Sequence, residues 1–235
     1  MNQIKHNEAA KHETKFVFNN SIAHLMIQWL SCRCYPDPEF PVGIVSSIYY
    51  DTRDWHFLRE KINSDYLKTK VRVRWYSDIT HKELDNYSFI ELKQKIGVTR
   101  KKIRIKSDIS GRWLSSVDLD SQKLLEIPSL LRTKVQDIPR HIYPVFQISY
   151  KRWRFIEHIT GARLCVDQDI SVPKVNKLII PMTTPLCLKK GVFELKGKIR
   201  ELPHMLHQLT ALGCRKESFS KYSNCYQQVS TLYFS

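Results

Sequence analysis

Acidic residues are in short supply in this chain. Among 235 residues, 38 Lys and Arg face only 23 Asp and Glu, a formal charge of +15 with His neutral. That imbalance favours an anionic partner: nucleic acid, an acidic membrane surface or a phosphorylated small molecule. Glycine is scarce too, at seven residues, and the ten prolines are dispersed, which excludes a low-complexity or collagen-like chain. No apolar run approaches the roughly 20 residues that cross a bilayer as a helix. The six cysteines include no CxxC pair, and the Cys32–Cys34 spacing does not suit a zinc knuckle. Nine His show no HxxxH or HExxH pairing, so a histidine metal site is not expected. The polar opening MNQIKHNEAAKHE lacks the apolar core of a secretory signal. A cytoplasmic protein with reduced thiols is the expectation.

What is present is alternation. Between Tyr66 and Tyr76 the chain reads YLKTKVRVRWY, with Lys68, Lys70, Arg72 and Arg74 at every second position and Leu67, Thr69, Val71, Val73 and Trp75 between them. Strand side chains alternate faces, so this is one strand with a cationic face and an apolar face. Cations spaced by about 7 Å repel one another, and such a row makes sense if a polyanion lies along it. Ser88–Lys95 repeats the theme, with Phe89, Glu91, Lys93 and Lys95 opposed to Ile90, Leu92 and Ile96. Beyond Gly97, Arg100, Lys102, Arg104 and Lys106 alternate against Ile103 and Ile105.

The remaining elements follow from the same periods. Strands are predicted at Lys11–Phe18, with Lys11, Glu13 and Lys15 on one face, and at Ile44–Tyr50, Val145–Phe155, Ala162–Asp167 and Gly191–Arg200. Asn20 or Ser21 can cap a helix whose stripe is Ile22, Leu25, Met26, Trp29 and Leu30. The segment DTRDWHFLREKIN reads as a short helical excursion, and Gly111 to about Lys134 as two or three helical turns covering a sheet. Leu202, Met205, Leu206, Leu209 and Leu212, followed by Gly213, predict an amphipathic helix with a glycine stop. The tail ESFSKYSNCYQQV reads as a strand or turn. No repeat or linker splits the chain, so residues 1–235 are expected to form a single domain.

Seven or eight strands with a few flanking helices predict an α+β fold built on a closed antiparallel β-barrel. Its charged strand faces must point inward, because the opposite faces carry the Leu, Val, Ile and Trp that helices would bury. A cation-lined barrel is costly unless water and anions fill it.

The motifs also resemble a known family. An ExK strand (Glu13, Lys15), IYYDT (48–52), RVRWY (72–76), FIELK (89–93), SYKRWRF (149–155), ARLCVD (162–167), FELKGK (193–198) and FSKY (219–222) occur in the order found in the VTC domain. That is the catalytic domain of polyphosphate polymerases, in the triphosphate tunnel metalloenzyme or CYTH-like superfamily. The superfamily's fuller ExExK signature keeps one acid here, with Lys11 standing where the other would be. Eukaryotic members carry a phosphate-sensing domain and membrane helices that these residues lack, so the chain resembles the stand-alone bacterial type.

The resemblance implies a triphosphate tunnel fold and a metal-dependent phosphotransferase that makes inorganic polyphosphate from ATP. By motif position, Arg72, Arg74, Lys93, Lys102, Arg104, Arg152, Arg163 and Lys221 would contact phosphate, joined by Lys15, Lys70 and Lys196 on the same strands. Arg72, Arg74, Lys93 and Glu194 would be catalytic. Glu194 would hold Mn²⁺ or Mg²⁺, with Glu13 and Glu91 assisting directly or through water. Phosphoryl transfer needs charge neutralisation and in-line placement, with no protein nucleophile. Planar Arg forks and point-charge Lys suit consecutive phosphates.

Plainer readings compete at each position. Arg72 and Arg74 could line a solvated sheet face, Glu194 could pair with Lys196 or Lys198, and Lys221 could sit on an exposed turn. Asp167 is expected to orient an arginine. Tyr49, Tyr50, Trp75 and Tyr150 could form a stacking platform, although core is the commoner use of sheet aromatics. Carboxylates on the cationic faces suit metal and phosphate and would repel a nucleic-acid backbone, so ATP and polyphosphate are the expected partners and nucleic acid is not. The chain is not expected to span a membrane itself, and a membrane-protein partner stays open. Triphosphate hydrolysis, an adenylate cyclase of the same superfamily, or polyphosphate binding without catalysis are the alternative functions.

Overall fold

The computed structural model describes residues 12–80, 83–135, 138–181, 185–199 and 201–234. Lys11 and Arg200, both placed on strands by the sequence pattern, lie outside them. Among the described residues there are eleven strands: β1 (His12–Asn19), β2 (Tyr35–Pro36), β3 (Val42–Asp51), β4 (Leu67–Ser77), β5 (Ser88–Ile96), β6 (Thr99–Ser107), β7 (Tyr143–Ile156), β8 (Arg163–Val175), β9 (Leu186–Cys187), β10 (Lys190–Gly197) and β11 (Arg215–Lys216). The same described residues form the helices α1 (Ala23–Ser31), α2 (His56–Ile62), α3 (Gly111–Ser116), α4 (Gln122–Glu126), α5 (Ser129–Arg132), α6 (Gln208–Ala211) and α7 (Lys221–Phe234).

Hydrogen-bonded neighbours run β11-β1-β10-β8-β7-β3-β4-β5-β6, with β2 on β7 and β9 on β8. The fold is α+β with an antiparallel sheet. Among the described residues that path starts at β11 and stops at β6, so hydrogen bonds do not close the sheet into the expected ring. The chain divides into two compact units. One comprises Met1–Val42, Lys151–Asp169 and Lys189–Phe219; the other comprises Gly43–Tyr150, Ile170–Leu188 and Ser220–Ser235.

In the first unit β1 pairs with β10, placing Lys15 opposite Glu194 and Glu13 opposite Lys196, and β10 pairs with β8. Phe16, Phe18, Leu164, Val166, Phe193 and Leu195 point to one side, where Met26, Ile27 and Leu30 of α1 and Leu206 and Leu209 bury them. Glu13, Lys15, Arg163, Asp167, Glu194 and Lys196 take the other side by alternation. The single helix expected over Leu202–Leu212 is instead a 3₁₀ turn at His204–Leu206 followed by α6. Pro203 opens it, and the bonds from Leu206 N to the Pro203 carbonyl (2.7 Å) and from His207 N to the His204 carbonyl (3.1 Å) close tighter turns than an α-helix. Its leucines still reach the core, and Gly213, with φ of 86°, ends it.

In the second unit β3, β4, β5 and β6 pair in sequence order. Ile48, Tyr50, Val71, Val73, Trp75, Ile90 and Leu92 form the apolar face, packed against Leu114 of α3, Leu124 of α4 and Leu131 of α5. Each such fully buried side chain contributes roughly 1.5–3 kcal/mol, so this face cannot turn toward water. The tail expected as a strand or turn is the helix α7. Ser220 explains the difference: its Oγ accepts from Ser223 N (3.4 Å) and its carbonyl from Asn224 N (2.9 Å), while Tyr222, Cys225 and Val229 are buried at helical spacing.

Candidate active site

The opposite face of β3–β6 is a cross-strand array. Register places Lys70 beside Lys93 and Lys93 beside Lys102, so three lysines form one row across neighbouring strands. The next row is Tyr49, Arg72, Glu91 and Arg104, and the one beyond it Ser47, Arg74, Phe89 and Lys106. Neighbouring strands lie about 4.8 Å apart, and like charges directly opposite destabilise a sheet.

The arginines are clamped. Arg72 is 7% exposed; its Nε donates to Glu91 Oε2 at 2.7 Å and one terminal nitrogen to the Tyr49 hydroxyl at 3.2 Å. Arg74, equally buried, donates from Nε to Ser47 Oγ (3.0 Å) and from a terminal nitrogen to the Tyr150 hydroxyl (3.3 Å). Arg104 reaches the Tyr76 hydroxyl at 3.1 Å and stacks 3.5 Å from the centre of the Phe89 ring. Lys221, at the start of α7, lies 4.6 Å from the centre of the Tyr150 ring, and Lys70 Nζ donates to Ser220 Oγ at 3.3 Å.

Glu91 is the carboxylate in these rows. Its Oε1 lies 3.5 Å from Lys102 Nζ and 3.4 Å from Arg104 Nε, and its Oε2 2.6 Å from Arg72. Burial pushes its pKa up, but the guanidinium groups of Arg72 and Arg74 and the Lys102 ammonium outweigh that and hold it far below the usual carboxylate range. Burial works against the charge on Arg72 as well, yet Tyr49 and Glu91 keep its pKa above the ordinary arginine value. Among the described residues Glu91 is thus the one acid that β4–β6 set among Lys68, Lys70, Arg72, Arg74, Lys93, Lys95, Arg100, Lys102, Arg104 and Lys106, with Lys221 of α7 beside them.

The first unit carries a different balance. Arg152 grips Asp167 with both arms of its fork, at 2.5 and 2.6 Å, and donates to Glu194 Oε2 at 3.2 Å. Lys196 Nζ donates to the same oxygen at 2.7 Å. Burial would lower the Lys196 pKa, but Glu194 more than offsets it and the value rises. Lys15 Nζ sits 3.3 Å from Glu13 and 3.6 Å from Glu194 Oε1, and also donates to the Phe219 carbonyl at 3.0 Å. Arg163 is exposed and faces Lys196 across the β8–β10 pair. Here four cations meet three carboxylates, close to neutrality. Among the described residues no group of three or more His, Cys, Asp and Glu gathers as a metal cage.

The sequence pattern identifies the charged residues but not their supports, since it reads Tyr49 and Tyr150 as a stacking platform or core rather than as acceptors for Arg72 and Arg74. Ser47, Tyr49, Tyr76, Tyr150 and Ser220 hold the cations in place. Alternation along β3 already sets Ser47 and Tyr49 apart from Ile48 and Tyr50, whereas Tyr150 and Ser220 come from elements distant in sequence.

The model of the VTC domain matches residues 10–230. The chain belongs to the VTC domain family. No curated protein matches the sequence. A crystal structure of a putative adenylate cyclase from Bacillus halodurans is similar at a TM-score of 0.50, covering 89% of this chain and 95% of that one, at 16% identity. At that identity the likeness concerns the fold alone. No helix among the described residues of this VTC domain is long and apolar enough to cross a membrane, which leaves strands unaddressed.

Proposed function

We propose that this VTC domain is a metal-dependent phosphotransferase that takes ATP as donor and builds inorganic polyphosphate. The observation that carries the reading is the cationic face of β4–β6, where the Lys70–Lys93–Lys102 row adjoins two buried, clamped arginines. A lysine row supplies charge to successive phosphates without fixing their rotation. Arg72 and Arg74 cannot swing freely, so their outward nitrogens meet phosphate oxygens at set positions. That preorganisation is what stabilises charge spread over a transferring phosphoryl group. Lys15, Arg152, Arg163 and Lys196 are assigned further phosphate contacts, and Arg104 and Lys221 reinforce the face.

The carboxylates divide by their neighbours. Glu13 and Glu194 both approach the Lys15 ammonium, so a cation already occupies the place between them. One or two carboxylates plus substrate oxygens is the donor set Mg²⁺ and Mn²⁺ use with phosphates. Glu194 and Glu13 are therefore the residues to hold the ion, which when bound neutralises charge developing on the leaving phosphates. Glu91 is ringed by Arg72, Lys102 and Arg104, and its role is to balance them.

Incubation with ATP and Mn²⁺, with and without a polyphosphate primer, followed by a gel stained for long phosphate chains, tests the reading. Chain growth is expected. Release of free phosphate alone would replace it with triphosphate hydrolysis, and formation of cyclic AMP with a cyclase. Tight polyphosphate binding without turnover would leave a binding module. Glu194→Ala is expected to abolish turnover while triphosphate affinity stays within about threefold, since loss of a carboxylate does not remove cationic donors.

A further inference from the structure

The hairpin that joins β5 to β6 turns over two residues, Gly97 and Val98, between the paired Ile96 and Thr99. Gly97 has φ of 56°, as a tight hairpin turn requires, and the residue beside it in such turns is ordinarily Gly, Asn, Asp or Ser. Here it is Val98, β-branched and 96% exposed. Two more apolar side chains crowd the same tip, Tyr66 at 75% exposure and Ile96 at 41%. The Tyr66 ring lies so close over Gly97 that a Cβ there would meet it at 2.7 Å, and the Tyr66 carbonyl accepts from Gly97 N at 2.9 Å. The cluster is therefore part of the turn's own construction.

Immediately behind the tip stands a row of cations. Lys68 pairs in register with Lys95 and Lys95 with Arg100, and Lys101 follows on the opposite face of β6. Among the described residues no carboxylate forms an ion pair with any of these four; the nearest acid along the chain is Asp65, beside Tyr66. Single exposed apolar residues are ordinary. An aliphatic and aromatic tip backed by cations without carboxylate partners is not, because it joins exposed apolar area to uncompensated positive charge at one place.

We propose that this hairpin tip docks on the surface of an anionic lipid bilayer. Val98 and Ile96 would enter the headgroup boundary, the Tyr66 ring would sit at the interface, and Lys68, Lys95, Arg100 and Lys101 would meet lipid phosphates. A single-stranded nucleic acid is held by stacking on aromatic faces, and of the three apolar side chains at this tip only Tyr66 offers one. Lys68, Lys95 and Arg100 continue the face that carries the Lys70–Lys93–Lys102 row, whereas Val98, Ile96 and Tyr66 have no part in binding ATP or polyphosphate, so variants at Val98 separate the two readings.

The test is co-sedimentation of the full chain with vesicles of mixed phosphatidylcholine and phosphatidylglycerol, and with vesicles of phosphatidylcholine alone. Binding is expected to the mixed vesicles only. Val98→Asp should weaken it by about tenfold or more, since it removes an apolar contact and adds a repelled charge, while Val98→Leu retains it. Because Val98 is almost fully exposed, neither variant should alter the far-UV circular dichroism. No binding to mixed vesicles overturns the proposal. Binding that is lost in high salt but is indifferent to Val98→Asp also overturns it, leaving a general basic surface. Val98-dependent capture by polyglutamate in place of vesicles would assign the tip to an acidic protein instead.

Discussion

Single residues on the cationic face are held in unequal states. Glu91 is nearly fully buried against three cations, and removing one member of a buried charge group typically costs roughly 3–5 kcal/mol. Glu91→Gln is expected to lower the melting temperature sharply, and inorganic triphosphate should recover much of the loss by supplying the missing negative charge. Its pH signature follows from the sign of the shift. A carboxyl whose folded pKa lies far below its ordinary value of 4.5 contributes stability fully above that value and loses it as pH falls further. Stability of the wild type measured from neutral pH down through 4 should therefore decline more steeply than that of Glu91→Gln. An unchanged slope would mean the carboxylate is equally comfortable in the unfolded chain.

Among elements, α7 depends on a contact that local sequence does not advertise. Tyr222 donates its hydroxyl to Asp51 Oδ2 at 2.6 Å, and its ring stacks on Tyr49 with centroids 5.1 Å apart. Asp51 in turn accepts from the backbone nitrogens of Thr52, Phe57 and Leu58. Burial pushes the Asp51 pKa up, opposed by the Tyr222 hydroxyl and these amides. Tyr222→Phe keeps the ring and deletes a bond to a charged group, which costs about 1.5–3 kcal/mol; urea unfolding measures it. The same variant should weaken triphosphate binding, because α7 carries Lys221 to the Tyr150 ring and Ser220 to Lys70. Strands β4, β5 and β6 were legible in the sequence, since period 2 extends along each for eight residues or more. The tail was not: SKYSNCYQQV has few apolar residues, and its helical face shows only once Asp51, Tyr49 and Phe146 stand beside it. The Leu202–Leu212 segment kept its apolar stripe but not its expected pitch, because Pro203 and successive three-residue turns intervene.

For the whole molecule, uncompensated positive charge should make the empty chain less stable than the anion-bound one. A ligand at 100 times its Kd stabilises by about 2.7 kcal/mol through mass action. Inorganic triphosphate is expected to raise the melting temperature at low salt and to retain most of that rise at moderate salt; a shift that vanishes with salt would indicate surface screening alone. We propose that the two compact units unfold as one domain, since β7 and β8 each contribute residues to both. Calorimetry should then give one transition, and two separated transitions would refute it. The exposed edge at β6 carries Lys102, Arg104 and Lys106, charges that also discourage edge-to-edge association of chains.

The sequence by itself determined which side chains share a strand face, and hence that cations would line one side of β4–β6 and a helix-covered core the other. Alternation is a local property of the extended backbone, and burial of Trp75, Val73 and Leu92 leaves no choice of side. Only the tertiary structure decided what each charge does. Glu91 became a buried counter-ion because pairing in register sets it between Arg72 of β4 and Arg104 of β6, and Glu194 a neighbour of Lys15 and Arg152 because its partners come from strands far apart in sequence. The electrostatic state of a carboxylate is set by those neighbours rather than by the residue beside it in the chain.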